Sequence, residues 1–286
     1  MTRDPLNQPR WHDRPSARSL LLTVLGEYAY PAGRPVFTRT FVAALGLLGT
    51  SAQATRQALA RSATAGWLQA ERIGRETRWR LSSETERVLA AGATRIYGFG
   101  QSRVPWDGEW ILLHVRVPDS RRELRSKLRA RLAWAGFGAA GGGLWISPDP
   151  SRELEAAEAL DNLGLADCVA SLRGRPGSLG GLDQLARSAW DVAAIAGRYK
   201  AFLAAHEMQR PRAADQVFRA STTLVHRWRA FPFLDPGLPA SLLPKPWIGD
   251  RAAHRFRELH ERWSERAAKS WRELEQRTAS PGQRNS

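Results

Sequence analysis

The residues of this 286-residue chain whose types and spacing suit chemistry are arginines and glutamines. In SAQATRQALARSATAG (51–66), Thr55, Ala58, Leu59 and Ser62 recur at i, i+3, i+4 and i+7, which is one face of an α-helix. Gln53, Arg56, Gln57, Ala60 and Arg61 are left on the opposite face. A guanidinium offers two parallel donors to guanine O6 and N7, and a carboxamide pairs with adenine N6 and N7. Gln53, Arg56 and Gln57 are therefore expected to read base edges. Arg61 is expected to meet a phosphate, and Ser51, at the helix start, completes the DNA-contacting set on this element. An ordinary solvated helix face is the alternative reading of the same pattern.

After Gly66 the period falls to two. WLQAERIGRETRWRLS reads as a strand over 67–72, a turn at Gly74 and a strand over 77–81, a β-hairpin. Its outer face carries Arg72, Arg75, Arg78 and Arg80. Arg72, Arg75 and Arg78, with Gly74 at the tip, are expected to lie along a DNA backbone or in a narrow minor groove. Glu71 and Glu76 would neutralise part of that patch if the hairpin merely covered the helices.

The overall charge favours a polyanionic partner. Lys and Arg number 43 and Asp and Glu 28, a net of +15. Residues 1–100 and 176–286 each carry a net +7, and residues 101–175 only +1, so the surplus is segregated at the two ends. Only 4 of the 43 basic residues are Lys, so a general bias toward Arg is the competing explanation.

Other chemistries find little material. The single cysteine, Cys168, excludes a disulfide framework and a four-cysteine zinc site, and it reads as a core residue. The six histidines form no HExxH, and His254 and His260 stand six apart, off a common helical face. The longest apolar run, Phe41–Gly49, is far short of a membrane span. The first residues have no apolar signal region, so a cytoplasmic protein without membrane contact is expected.

The arginine-bearing helix needs positioning elements, and the flanking pattern supplies them. Residues 1–15 are polar with three prolines and read as disordered, as does the tail TASPGQRNS (278–286). A first helix opens at Ser16, carries Leu20, Val24, Leu25 and Tyr28 inward, and stops at Pro31 and Gly33. A second starts near Thr38 with Phe41, Val42, Leu45 and Leu48 inward. With the 51–66 helix, the hairpin and a helix capped by Ser82 or Ser83, the order is that of a winged helix-turn-helix domain, residues 16–91. Residues 92–108 read as a linker.

A strand over Glu109–Val117 alternates faces. A helix to Trp134, a hairpin around Gly141–Gly143, a helix from Ser151 to Leu163 and a strand over Asp167–Leu172 follow. That is βαββαβ, a ferredoxin-like central domain over 106–175. A second linker covers 173–181. The remainder, 182–277, reads as a helical C-terminal domain: helices over Leu182–Gln209, Arg212–Arg229 and Asp250–Gln276, with a proline-broken stretch over Phe231–Trp247. The expected fold class is thus α+β. Near the end of the second of these helices, His226, Arg227, Trp228 and Arg229 stand in a row. Arginines bind phosphate and tryptophan stacks on adenine, so these four are the candidate effector site. Packing of a basic helix end is the alternative.

The pieces SARSLLLTVLGEY, TRQALARSATAGWL, RIGRETRWRLSSETERVL, WDGEWILLHVRVPDSRRELRSKLRARLAWAGFG, GLWISP and HRWRAFPFLDPGLPASLLPKPW occur in this order. In that order they resemble the PaaX-type phenylacetate-degradation transcriptional repressors over nearly all of residues 16–270. The resemblance implies a homodimeric repressor of an aromatic-acid catabolic operon. An aryl-acyl-CoA thioester such as phenylacetyl-CoA would release it from double-stranded operator DNA. No other cofactor, no metal and no catalytic residue is implied. Carried over by position, Arg56 and Arg61 on the helix and Gly74 and Arg75 at the hairpin would meet DNA. Ala54, Ala60 and Ser62 depart from a helix that is often bulkier, which bears on the operator sequence.

Two rivals follow from the same residues. The central domain also resembles the ferredoxin-like fold of CRISPR adaptation nucleases, which place an Asp near the end of the first strand. Here the first Asp is Asp119, after Pro118, and the strand interior has no carboxylate, whereas a two-metal site needs paired carboxylates. The other rival is a sequence-tolerant DNA-binding protein without a ligand, whose preference for its own site would fall well below the roughly thousandfold of a regulator.

Overall fold

The computed structural model describes residues 15–101, 106–179 and 181–278. The disorder expected of residues 1–14 and 279–286 lies outside the described residues. The chain is mixed α and β, with a three-stranded and a four-stranded antiparallel sheet. It divides into two compact units.

The first unit comprises residues up to 99, 202–230 and from 253 on. Helix α1 (Ala17–Val24) is capped by Ser16, whose Oγ accepts the Ser19 N–H at 3.2 Å. The helix continues through a π-helical turn, Leu25–Ala29, and a last turn that accommodates Pro31, ending at Gly33 with φ +63°. Strand β1 (Val36–Phe37), helix α2 (Thr38–Leu47), helix α3 (Ala52–Thr64), strands β2 (Leu68–Ile73) and β3 (Glu76–Leu81) and helix α4 (Ser83–Gly98) follow. The sheet order is β1-β3-β2, with the hairpin paired from Leu68↔Leu81 to Ile73↔Glu76. Leu21, Val24, Leu25, Phe41, Ala44, Leu45, Ala58 and Leu59 form a closed apolar interior. Their burial, not intrinsic propensity, holds helices this short in place.

Three features of this unit depart from the reading of the sequence. Two-residue β1 carries too little pattern to be recognised, yet it pairs Val36 with Trp79 and closes the sheet. Residues 92–98, read as linker, are the last turns of α4. Tyr97 stacks on Phe256 with ring centroids 6.2 Å apart and donates to Glu27, and Trp228 Nε1 donates to the Ile96 carbonyl at 3.1 Å. These tertiary contacts outweigh the poor helix propensity of Gly92 and Gly98.

The third departure is long range. Helix α9 (Ala214–Trp228) and the part of the last helix, α10 (Ile248–Arg277), beyond 253 fold with residues 15–99. Tyr28 Oη lies 2.8 Å from Thr222 Oγ1, and the Tyr28 ring stacks at 5.4 Å on Trp271. Phe256, Leu259, Trp263, Ala267, Trp271 and Leu274 line one buried stripe of α10.

The second unit comprises 100–201 and 231–252. Strand β4 (Trp110–Val115), helix α5 (Leu124–Trp134), strands β5 (Gly138–Gly141) and β6 (Leu144–Ser147), helix α6 (Glu153–Asp161) and strand β7 (Val169–Gly174) form an antiparallel sheet of order β5-β6-β4-β7. That is the order of the ferredoxin-like βαββαβ pattern. Ile111, Leu113 and Val115 of β4 face Leu128 and Leu132 of α5 and Ala156 and Leu160 of α6 in one core. Residues 166–168 form a 3-10 turn, so the last strand starts at Val169, and Cys168 is half-buried against that core.

The single helix expected over Leu182–Gln209 is two helices, α7 (Leu182–Ala189) and α8 (Val192–Glu207). The break has a packing cause. Trp190 is extended (φ −138°, ψ 135°) and its ring lies over Gly138 so closely that a Cβ there would fall 2.4 Å from it. Asp191 then restarts the helix by accepting the Ala194 N–H at 2.8 Å.

Candidate nucleic-acid interface

Helix α3 is positioned from both ends. Ser51 Oγ accepts the Ala54 N–H at 3.2 Å, which satisfies one orphan donor of the first turn. At the other end the Trp67 N–H donates to the Ser62 carbonyl at 2.9 Å, joining α3 to the start of β2. Thr55, Ala58, Leu59 and Ser62 are buried. Gln53, Arg56, Gln57, Ala60 and Arg61 are exposed, as their spacing requires. The Arg56 and Arg61 side chains have no hydrogen-bond or ion-pair partner among the described residues. Ser51 lends its oxygen lone pair to the cap, so its hydroxyl proton is what remains for an outside acceptor.

The hairpin is fastened at its base. Trp79 Nε1 donates to Thr38 Oγ1 at 2.8 Å, and Thr38 Oγ1 donates to the Thr77 carbonyl at 3.0 Å. Gly74 sits at φ +60°, where a side chain would be strained. Arg72 Nε donates to the Gly74 carbonyl at 3.2 Å and shapes the tip. Arg75 and Arg80 are exposed without ion-pair partners among the described residues.

Arg78 departs from the expected patch. It makes a two-pronged bond with Glu71 across the hairpin, at 2.8 and 2.6 Å. That bond holds the Glu71 carboxyl below its ordinary pKa and the Arg78 guanidinium above its own. Arg78 therefore stiffens the hairpin, and its charge is already matched. Glu76 is likewise joined to Arg39. On α3 and the hairpin, the arginines without an ion-pair partner among the described residues are Arg56, Arg61, Arg72, Arg75 and Arg80. Arg80 lies on the same face of the hairpin as Glu71, whose carboxylate is bonded to Arg78.

The structure sets His226, Arg227, Trp228 and Arg229 in a different role from an open pocket. Trp228 is fully buried, with Phe256 stacked at 4.6 Å and Phe202 tilted at 5.5 Å, so neither ring face is open to an adenine. His226 Nδ1 is 2.9 Å from Thr23 Oγ1 of α1. Arg229 Nη2 donates to Ser19 Oγ at 2.9 Å and to the Ser19 carbonyl at 3.1 Å. Arg229 Nε is buried without a partner, and burial pushes this guanidinium down to about 10. Three of the four residues thus tie α9 into the first unit's core, and Arg227 is half-buried beside them.

The histidines of this region make a pH prediction. Burial pushes His226 down to about 3, with Arg229 and Arg227 adding to the effect. Burial likewise lowers His206 to about 4, against the opposing hydrogen bond to the Phe202 carbonyl. An unfolded histidine titrates near 6.5. Below that pH the unfolded chain takes up protons that the folded chain refuses, so stability is complete above about pH 6.5 and falls as pH drops toward 4. The slope is up to about 1.4 kcal/mol per pH unit for each group. Thermal melts between pH 7.5 and 4.5 should show it, and His226→Gln should flatten the curve.

Among the described residues no group of three His, Cys, Asp or Glu could hold a metal ion. Asp119 lies past the end of β4 and pairs with Arg125 at 2.9 Å. No helix of the described residues is long and apolar enough to cross a membrane.

Comparison with known proteins runs along most of the chain. Three family models match in succession: PaaX-like protein over residues 16–85, the PaaX protein central Cas2-like domain over 103–186, and the PaaX-like protein C-terminal domain over 190–273. The transcriptional repressor PaaX of Escherichia coli (strain K12) is 28% identical over 258 residues, which cover 86% of this chain and 80% of that protein. A solved structure of an uncharacterized protein from Mycobacterium tuberculosis is similar with a TM-score of 0.58 at 23% identity. The match covers 91% of this chain and 98% of the other, a likeness of fold.

Proposed function

This chain belongs to the PaaX family, and from that premise we propose that it is a DNA-binding transcriptional repressor rather than an enzyme. The observation that carries the reading is the exposed face of α3. It presents Gln53, Arg56, Gln57 and Arg61 to solvent, with both arginines free of any internal partner among the described residues. In this reading residues 16–91 are a winged helix-turn-helix domain. Helix α3 enters the major groove of double-stranded operator DNA, and the hairpin tip, Arg72, Gly74 and Arg75, follows the adjoining backbone. Arg78 supports the tip from within. Residues 106–175 are the central domain and 182–277 the C-terminal one.

A homodimer would bind half-sites about one helical turn, or a multiple of it, apart. The regulated genes would be those of aromatic-acid catabolism of the phenylacetate type, in the cytoplasm, and an aryl-acyl-CoA thioester would be the releasing ligand. That ligand must bind the DNA-free state more tightly to shift the balance. Family membership supports this effector. The burial of Trp228 argues that its adenine does not stack there, and Arg227 is the member of the four best placed to meet a phosphate.

The test is a gel shift of the full chain on DNA from its own promoter, with and without phenylacetyl-CoA. Specific binding that the thioester abolishes is the expected result. Specific binding that ignores every thioester removes the effector and leaves the repressor. Binding without sequence preference removes both.

A further inference from the structure

The central segment is nearly neutral, with 11 basic and 10 acidic residues between 101 and 175, but folding sorts the signs onto different helices. Residues 121–131, leading into and through α5, hold six cations and one acid. Residues 149–161, leading into and through α6, hold five acids and one cation. Arg122, Arg125, Lys127 and Arg129 are exposed. On α6, Leu154, Glu158 and Asp161 recur at i, i+4 and i+7, one exposed stripe, and Leu154 is 72% exposed. Arg122, Lys127, Glu158 and Asp161 have no side-chain partner among the described residues. Among the described residues the Arg125 side chain is held only by Asp119, itself 98% exposed.

The two helices lie side by side. Leu128 and Leu132 of α5 share one core with Ala156 and Leu160 of α6, on one face of the sheet. The antiparallel βαββαβ order makes the helices antiparallel to each other. A basic and an acidic helix in that arrangement are self-complementary. A two-fold axis running between and along them sets each helix over the partner's helix of opposite sign, and the match is made twice.

We propose that the outer faces of α5 and α6 form this two-fold interface between two copies of the chain, with Leu154 as an apolar contact within the charged pairs. The proposal rests on the homodimer reading and names its surface. Nucleic acid on α5 is the competing occupant, and the neighbouring helix argues against it. Packed helices stand about 8–10 Å apart, within about one Debye length at physiological salt, so the acids of α6 would repel phosphates drawn to α5. A second copy uses both helices.

The experiment uses the full-length chain and two variants confined to exposed side chains: Arg122→Glu with Arg129→Glu, and Glu158→Arg with Asp161→Arg. Sedimentation equilibrium at 50 and 500 mM salt reads self-association, and circular dichroism confirms folding. Each variant should self-associate at least tenfold more weakly than the unaltered chain at low salt. An equimolar mixture should restore the affinity, because an all-acidic face then meets an all-basic one. High salt should weaken the unaltered dimer. A dimer indifferent to both variants sinks the interface and spares the dimer, and a monomeric unaltered chain sinks both. Loss of DNA affinity in the α5 variant with self-association unchanged overturns the proposal in favour of a nucleic-acid surface.

Discussion

Replacing Arg56 and Arg75 together by alanine should weaken binding of the chain's own promoter by roughly 10²–10⁴-fold at physiological salt, about 1–3 kcal/mol for each arginine. The two losses should be of different kinds. On the proposed reading Arg56→Ala alone removes a base contact, so affinity should fall mainly for the preferred sequence and discrimination at one position should relax. On the same reading Arg75→Ala alone removes a phosphate contact, so affinity should fall on every sequence and the salt slope should drop by about one unit. Both side chains are exposed and without internal partners among the described residues, so folding stability should change by no more than about 0.5 kcal/mol. Titrations at several salt concentrations, on operator and on scrambled DNA, separate the two. Unchanged affinity in the double variant would remove α3 and the hairpin as the DNA-gripping pair.

Trp228→Ala should cost about 3–5 kcal/mol of stability, the range for truncating a buried aromatic side chain. The substitution removes the stack on Phe256 and strands the Ile96 carbonyl, which loses its donor at the end of α4. Trp228→Phe keeps a ring in the stack and loses the donor, so a smaller cost of roughly 1–2 kcal/mol is expected, much of it the unsatisfied carbonyl. Urea unfolding of the three proteins measures this. A Trp228→Ala protein of native stability that has lost only its response to a thioester would show that the ring serves a ligand and not the core.

How far these roles were legible differs from residue to residue. The inward and outward faces of α3 follow from a period of 3.6 over thirteen residues, and every one of Thr55, Ala58, Leu59 and Ser62 is buried. The hairpin and its turn at Gly74 follow from the sequence, but the register does not: it sets Arg72 opposite Thr77, on the other face of the ribbon from Arg78 and Arg80. Arg78 did not reveal its partner, because Glu71 and Arg78 are seven apart and meet only once the register sets them opposite each other. The row from His226 to Arg229 suggested a ligand site because local sequence does not show which side of a helix a distant helix will cover. Thr23 and Ser19 lie some two hundred residues away. The break at Trp190 was invisible for the same reason, since its cause is the bare surface of Gly138.

The bonds from Arg229 to Ser19 and from Tyr28 to Thr222 carry a lesson for anyone who would move the proposed DNA reader onto another scaffold. A cut after α4 would bare the apolar side of α1 and leave Tyr28 without the aromatic rings of Phe218 and Trp271 that cover it. The reader is therefore not a detachable cassette. Grafts should carry α9 and the part of α10 beyond 253 with it, and chimeras joined at residue 99 should express as insoluble or proteolysed chains.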